Sequence, residues 1–257
     1  MVNIQYMGGG SQDTFGAKPK ACVSYLNLTS ELEQGVSQTD FLKARDGDFW
    51  DKANLIFNSP FAVFNRDALI KIYTLSRNQY EIYGMDDLAF YHVAEAMMCN
   101  ISELDLHRID ERDFSEKGFI NTFNHIIAQS FMTSIYSEEV ADFIADVHER
   151  YNMPELVTGD FTYEQLSDLK NGPMDNYIDM INNEIGQEIG KDLKAKYNVG
   201  ASYQWTPASL SDFLNEIQSH LSWSLGIGFT PFRATDELVI RFSNKLNKVM
   251  IQTVLPN

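Results

Sequence analysis

Amides and carboxylates crowd residues 175–190, DNYIDMINNEIGQEIG, where a helix of a folded protein should be mostly apolar. At about 100° per residue, Ile178, Ile181, Ile185 and Ile189 form one stripe, and Asn182 falls inside it. Asp179 and Asn183 flank that stripe, and Gly186 and Gly190 extend the flank one and two turns later. A buried, unsatisfied amide costs on the order of 1–3 kcal/mol, and each glycine costs a helix roughly 1 kcal/mol relative to alanine. Such costs point to a local purpose: the glycines admit another backbone or a ligand, and Asp179, Asn182 and Asn183 face whatever approaches.

Two earlier segments carry titratable groups at helical spacing. Between residues 115 and 135, Phe119, Phe123, Ile126, Ile127 and Ser130 share one face, while Asn121, His125 and Gln129 share the opposite one. His125 is therefore expected in solvent or in a polar cleft. Between residues 137 and 150 the apolar stripe is Val140, Phe143, Ile144 and Val147, with His148 at its edge. Asp142, Asp146 and Glu149 fall on the outer face, which by itself reads as a solvated acidic surface. Glu149 also occupies the last turn, where the helix dipole raises a carboxyl pKa, and an apolar wall over it would make a general acid.

Taken together, NTFNHIIAQSF at 121–131, ADVHER at 145–150 and DMINNEIGQEIG at 179–190 resemble, in order and spacing, a bacterial domain of unknown function. That family's pattern is an aromatic-x-His helix, an A-H-E helix end and a later D-x-x-N-N-x-x-G-R helix; it occurs in secreted proteins and at the toxin-bearing C-termini of polymorphic-toxin and Rhs-type proteins. The resemblance spans about residues 115–195, and its matching positions are His125, His148, Glu149, Asp179, Asn182, Asn183 and Gly186. Asn121 and Asn124 stand where the pattern has Asp or Arg. Gln187 replaces its arginine, so an anion-binding side chain is lost. No established activity comes with the resemblance.

Three mechanisms fit these residues. Glu149 could serve as general acid beside a saccharide groove walled by residues 151–172, with Asp179 or Asp160 orienting water, and Asn121, Asn182, Asn183 and Gly186 shaping substrate contacts. Alternatively, His125, His148, Glu149 and Asp179 could hold a divalent metal, zinc or manganese by donor type, although no HExxH spacing is present. Without catalysis, the asparagines would bond a neighbouring helix and the acidic face would bind a partner, as in an adaptor or immunity protein. His92 with Glu95 reads as a surface pair, and Ser222 and Ser224 lack the G-x-S-x-G elbow of a serine hydrolase.

The elements that must position these groups are mainly helical. Asn65 is expected to cap a helix to Leu75, Asp86 and Asp87 to open one to Met98, Ser137 to cap one to Arg150, Pro173 to open one to Tyr197, and Ser209 to open one to Leu221. Residues 237–254 mix helical and strand periodicity. A small β element is expected between 151 and 172 or at the C-terminus, within an otherwise mainly α fold. Residues 1–20 read as a flexible arm, 21–100 as an N-terminal helical portion and 101–257 as the helical domain carrying the site.

Of 257 residues, 36 are Asp or Glu against 20 Lys or Arg, and the net charge of −16 argues against nucleic acid and anionic lipid as partners. Cys22 and Cys99 form no metal or redox motif and read as unpaired thiols. No window has the roughly 18 apolar residues of a membrane span, and no signal-peptide pattern opens the chain. The expectation is a protein made in the cytoplasm and exported without a cleavable signal: an antibacterial effector hydrolysing cell-envelope material, peptidoglycan first. Secretion machinery and a cognate immunity protein would be its partners.

Overall fold

The computed structural model describes residues 3–6, 21–25, 28–107, 109, 118–168 and 172–251, and these are mainly α-helical. The chain groups into two compact units, each discontinuous in sequence: Met1–Arg66 with Ala141–Ile185, and Asp67–Val140 with Gly186–Asn257. The division expected near residue 100 falls inside the second unit.

In the first unit β1 (Asn3–Tyr6), β2 (Ala21–Tyr25) and β3 (Leu28–Leu32) form an antiparallel sheet in the order β1-β2-β3, with Ile4 opposite Val23 and Val23 opposite Ser30. The β element thus lies at the N-terminus, and residues 3–6 of the expected arm are a strand; residues 7–20 lie outside the described residues. Helices α1 (Gln38–Asp46), α2 (Phe49–Asn58) and α3 (Pro60–Phe64) come next. Asn65 ends α3, its side chain donating to Phe61 O, rather than capping the helix after it.

The second unit begins with α4 (Arg66–Leu75, all but its first residue), α5 (Tyr80–Tyr83), α6 (Phe90–Cys99), α7 (Glu103–Leu106) and α8 (Phe119–Ile135). Asp87 does not open α6; its carboxylate accepts from Gln79 N–H and from the ammonium of Lys245. His92 accepts from Ala89 N–H at the start of α6, so it is a capping group rather than half of a surface pair.

The chain continues into α9 (Glu138–Asn152), begun by Ser137, whose hydroxyl accepts from Val140 N–H. Residues 151–172, expected as a loop or hairpin, hold a 3₁₀ turn at Pro154–Leu156 and α10 (Tyr163–Ser167), with no strand among the described residues. The long helix α11 (Pro173–Tyr197) gives residues 173–185 to the first unit and 186–197 to the second. The first unit's core is Leu32, Met153, Leu156, Val157, Tyr177, Met180 and Ile181.

α12 (Pro207–Leu225) starts two residues before the expected Ser209, because Thr206 is the cap and Ser209 its capping-box partner. It ends on Gly226 at φ +65°, the left-handed conformation that glycine adopts without a Cβ clash. The ambiguous tail is α13 (Glu237–Ile251), with Val239, Phe242, Leu246 and Val249 buried at helical spacing. Phe90, Phe131, Trp205, Phe213 and Phe242 pack together in the second unit, with ring centroids of Phe131 and Phe213 4.6 Å apart. Ile101 and Phe229 form an isolated antiparallel bridge there.

Candidate functional site

Glu149 is the group whose surroundings depart furthest from the sequence reading. It is 1% exposed, not part of a solvated face, and continues a buried row along α9 with Ala141 and Ala145. The stripe expected at Val140, Phe143, Ile144 and Val147 is therefore rotated: of those four only Val140 is fully buried. The two alanines, at i−8 and i−4 from Glu149, hold that row of the helix free of bulk. Asp142 is exposed and Asp146 partly so.

The carboxyl of Glu149 is pushed well above the usual range, first by burial and then by the charges of Asp179 and Asp146, with Asp175 adding to them. The amide of Asn183 opposes that rise. Even so, among the described residues neither Glu149 oxygen has a hydrogen bond of normal geometry. A carboxyl in this state favours its neutral, protonated form. Asp175, Asp179 and Asn183 recur at four-residue spacing and so lie along one side of α11, and Asp179 and Asn183 are buried. The structure thus brings Glu149, Asp179 and Asn183 together within the first unit.

The other expected residues fall elsewhere. Asn182 is buried on α11, as its place in the apolar stripe implied, but Ile178 from that stripe is 41% exposed and Ile185 is half-buried. Gly186 and Gly190 belong to the second unit, and there the approach they permit is that of a backbone. A Cβ on Gly186 would lie 2.7 Å from Ile126 O and Gln129 Cβ, and one on Gly190 2.8 Å from Ser130 O and 2.7 Å from Thr133 Cβ. The contact with α8 is tied by Ser130 Oγ donating to Gly186 O (3.0 Å) and Gln187 Nε2 donating to Gln129 Oε1 (3.3 Å). Gln129 is buried by this packing, against its expected place on a polar face. Gly186 is thus a helix-packing residue. Asn121 and His125 lie half-buried on α8, in the second unit.

His148 is exposed, with its Nε2 3.0 Å from the Asn152 amide. Among the described residues no three His, Cys, Asp or Glu side chains converge as a cation site, so the four-residue metal set read from the sequence is not assembled. Asp160 is exposed as well. Trp205 is buried and Trp223 exposed, and Cys99 is an exposed thiol.

Asp146 and Arg150 were not singled out by the sequence as site residues, although their i,i+4 spacing is that of an ion pair. They lie 2.9 Å apart and line a cleft of about 410 Å³ together with Glu31, Glu33, Asp142, Phe61 and Phe143. Arg150 is buried and spends its guanidinium on Val36 O (2.8 Å), Glu33 O (2.8 Å) and Asp146 Oδ2. Gly35 lies against that guanidinium, a Cβ there falling 3.1 Å from Cζ. Burial raises the Asp146 carboxyl to about 6 despite Arg150, and the charges of Asp142 and Glu33 act in the same upward direction. A carboxyl that exchanges its proton near neutrality thus lines an open cleft, one helical turn from the buried Glu149.

No protein-family model, no curated protein sequence and no solved structure matches this chain.

Proposed function

We propose that this protein is an acid–base hydrolase of cell-envelope polymer, peptidoglycan in the first instance, acting as an exported antibacterial effector. Glu149 is the general acid, Asp179 orients the attacking water and takes up its proton, and Asn183 holds the geometry between them. The observation that carries this reading is the buried, unpartnered Glu149 carboxyl beside a second carboxyl. Glycoside hydrolysis uses a protonated carboxyl with a second carboxyl near it, and the raised Glu149 supplies the first. The cleft lined by Asp146, one helical turn along α9 from Glu149, has the volume of a sugar ring or short peptide stem at about 410 Å³, although Glu149, Asp179 and Asn183 are not among its lining residues. The resemblance of the His, A-H-E and D-x-x-N-N-x-x-G residues to secreted and toxin-borne domains is what suggests export and antagonism of rival cells.

Release of dye from labelled sacculi tests the chemistry. The parent protein is expected to release dye, and Glu149→Gln and Asp179→Asn to reduce the rate by roughly 10²–10⁴-fold, the span of a lost general acid or base. An inert parent, or a Glu149→Gln variant as active as the parent, overturns the assignment. Directing the protein to the periplasm should arrest growth in the same mutation-dependent way.

One observation favours a second reading, an acidic binding or immunity-type protein. Glu31, Glu33, Asp142 and Asp146 surround a cleft whose arginine is already engaged by three oxygens. Such a cleft suits a cationic side chain of a partner protein. Under this reading a lysine-rich peptide binds, Asp142→Asn with Asp146→Asn weakens it, and sacculi remain intact.

A further inference from the structure

The geometry points to the cleft lined by Asp146 and Arg150 as a binding subsite for a saccharide ring that carries an acetamido group. This deepens the reading of the protein as a cell-envelope hydrolase, and rests on that reading only for the polymer that supplies the ring. Asp142, Asp146 and Arg150 recur at four-residue spacing along α9 and present one row to the cleft. The facing walls come from the end of β3 with the connection to α1, and from residues 58–61, where α2 passes into α3. All of these belong to the first unit.

Arg150 is 8% exposed, and its bonds to Val36 O, Glu33 O and Asp146 Oδ2 use only Nε and Nη1. Among the described residues Nη2 donates to nothing, and Oδ1 of Asp146 accepts nothing. Gly35 leaves the idle nitrogen uncovered, since a Cβ there would lie 3.2 Å from it. An open donor on one member of an ion pair and an open acceptor on the other are complemented by a ligand group that accepts and donates side by side. A secondary amide does this, its carbonyl taking a proton from Nη2 and its N–H giving one to Oδ1. A ligand carboxylate is repelled by Asp146 and its acidic neighbours, and a ligand ammonium leaves Nη2 idle.

Two features place that amide on a sugar rather than on a peptide. Phe61 and Phe143, both half-buried, wall the cleft with ring centroids 4.8 Å apart, and Phe41 packs edge-on against Phe143 at 6.2 Å. The C–H face of a pyranose lies flat on an aromatic wall of this kind. The cleft is also rich in acceptors. An ionised carboxylate has about four lone-pair sites, so Glu31 and Asp142 can take hydroxyl protons in addition to the partners they already have. A ring of hydroxyls supplies those donors, whereas an extended peptide brings a single backbone N–H per residue.

Titration calorimetry of the full chain with triacetylchitotriose, its de-acetylated counterpart and cellotriose tests the inference by binding alone. The acetylated trimer is expected to bind, and the other two about tenfold more weakly or worse, because one carries ammonium and the other hydroxyl where the amide should sit. Asp146→Ala and Phe143→Ala are each expected to weaken the acetylated trimer about tenfold with an unchanged far-ultraviolet spectrum. The comparison of the three trimers on the parent needs no variant to fold. Absence of binding by the acetylated trimer, equal binding of either other trimer, or folded variants that bind like the parent overturns the assignment. So does a lysine-rich peptide that binds through Asp146 while all three trimers are ignored; that result gives the cleft to a protein partner. A parent that binds the acetylated trimer yet releases no dye from sacculi upholds the subsite and sinks only the hydrolase.

Discussion

Glu149 ties a pH dependence to a single side chain. Its carboxyl is raised in the folded protein, so the folded state holds the proton more tightly than the unfolded chain does. The stability it contributes is full below the unfolded value of about 4.5 and is lost as pH rises from there toward the folded value. Asp146 acts with the same sign between 3.8 and about 6. Melting temperature is therefore expected to fall as pH rises above about 4.5 in the parent, and to fall less in Glu149→Gln, whose isosteric amide has no proton to lose; equal slopes would refute the assignment. Glu149 and Asp179 were legible as chemistry-bearing residues because their types and spacing are in the sequence. The burial of Glu149 was not, since four apolar residues on α9 outvoted the quieter signal of Ala141 and Ala145 at four-residue spacing.

Helices arise from periodicity and caps, and the longer ones, α8, α9, α11 and α12, were legible near their observed lengths, whereas the short α1, α2, α3, α5, α7 and α10 were not. What the sequence left open was which side each turns inward. Gln129 is buried because α11 meets α8 through glycine, and glycine has no hydropathy to betray a contact. That contact makes a sharp expectation. Gly186→Ala and Gly190→Ala gain helix propensity of about 1 kcal/mol but force a Cβ against α8 backbone, an overpacking that typically costs about 1–3 kcal/mol. Both should lower the denaturation midpoint on balance, whereas Gly200→Ala, with open space around it, should change it little. The small sheet escaped the sequence reading because a glycine-rich opening was taken for an arm, while residues 237–251 resolved into a helix once Val239, Phe242, Leu246 and Val249 shared a core.

At the level of the whole molecule, charge is spent unevenly. The chain is acidic overall, yet in the second unit Lys245 is buried on α13 and its ammonium reaches Asp87 (2.9 Å), Arg77 O (3.0 Å) and Leu88 O. Burial lowers its pKa while Asp87 resists, and the pair staples α13 to the turns between α4 and α6. Lys245→Met strands the Asp87 carboxylate and is expected to cost about 3–5 kcal/mol in chemical denaturation, with Lys245→Met/Asp87→Asn recovering much of the loss. No helix among the described residues is long and apolar enough to cross a membrane. The three indoles are divided as well: Trp50 lies in the first unit and Trp205 and Trp223 in the second, and only Trp205 is shielded from water. Since the other two already emit as solvated chromophores, a red shift on denaturation comes from Trp205 and dates the melting of the second unit. Loss of structure in the first unit passes almost unseen in tryptophan emission.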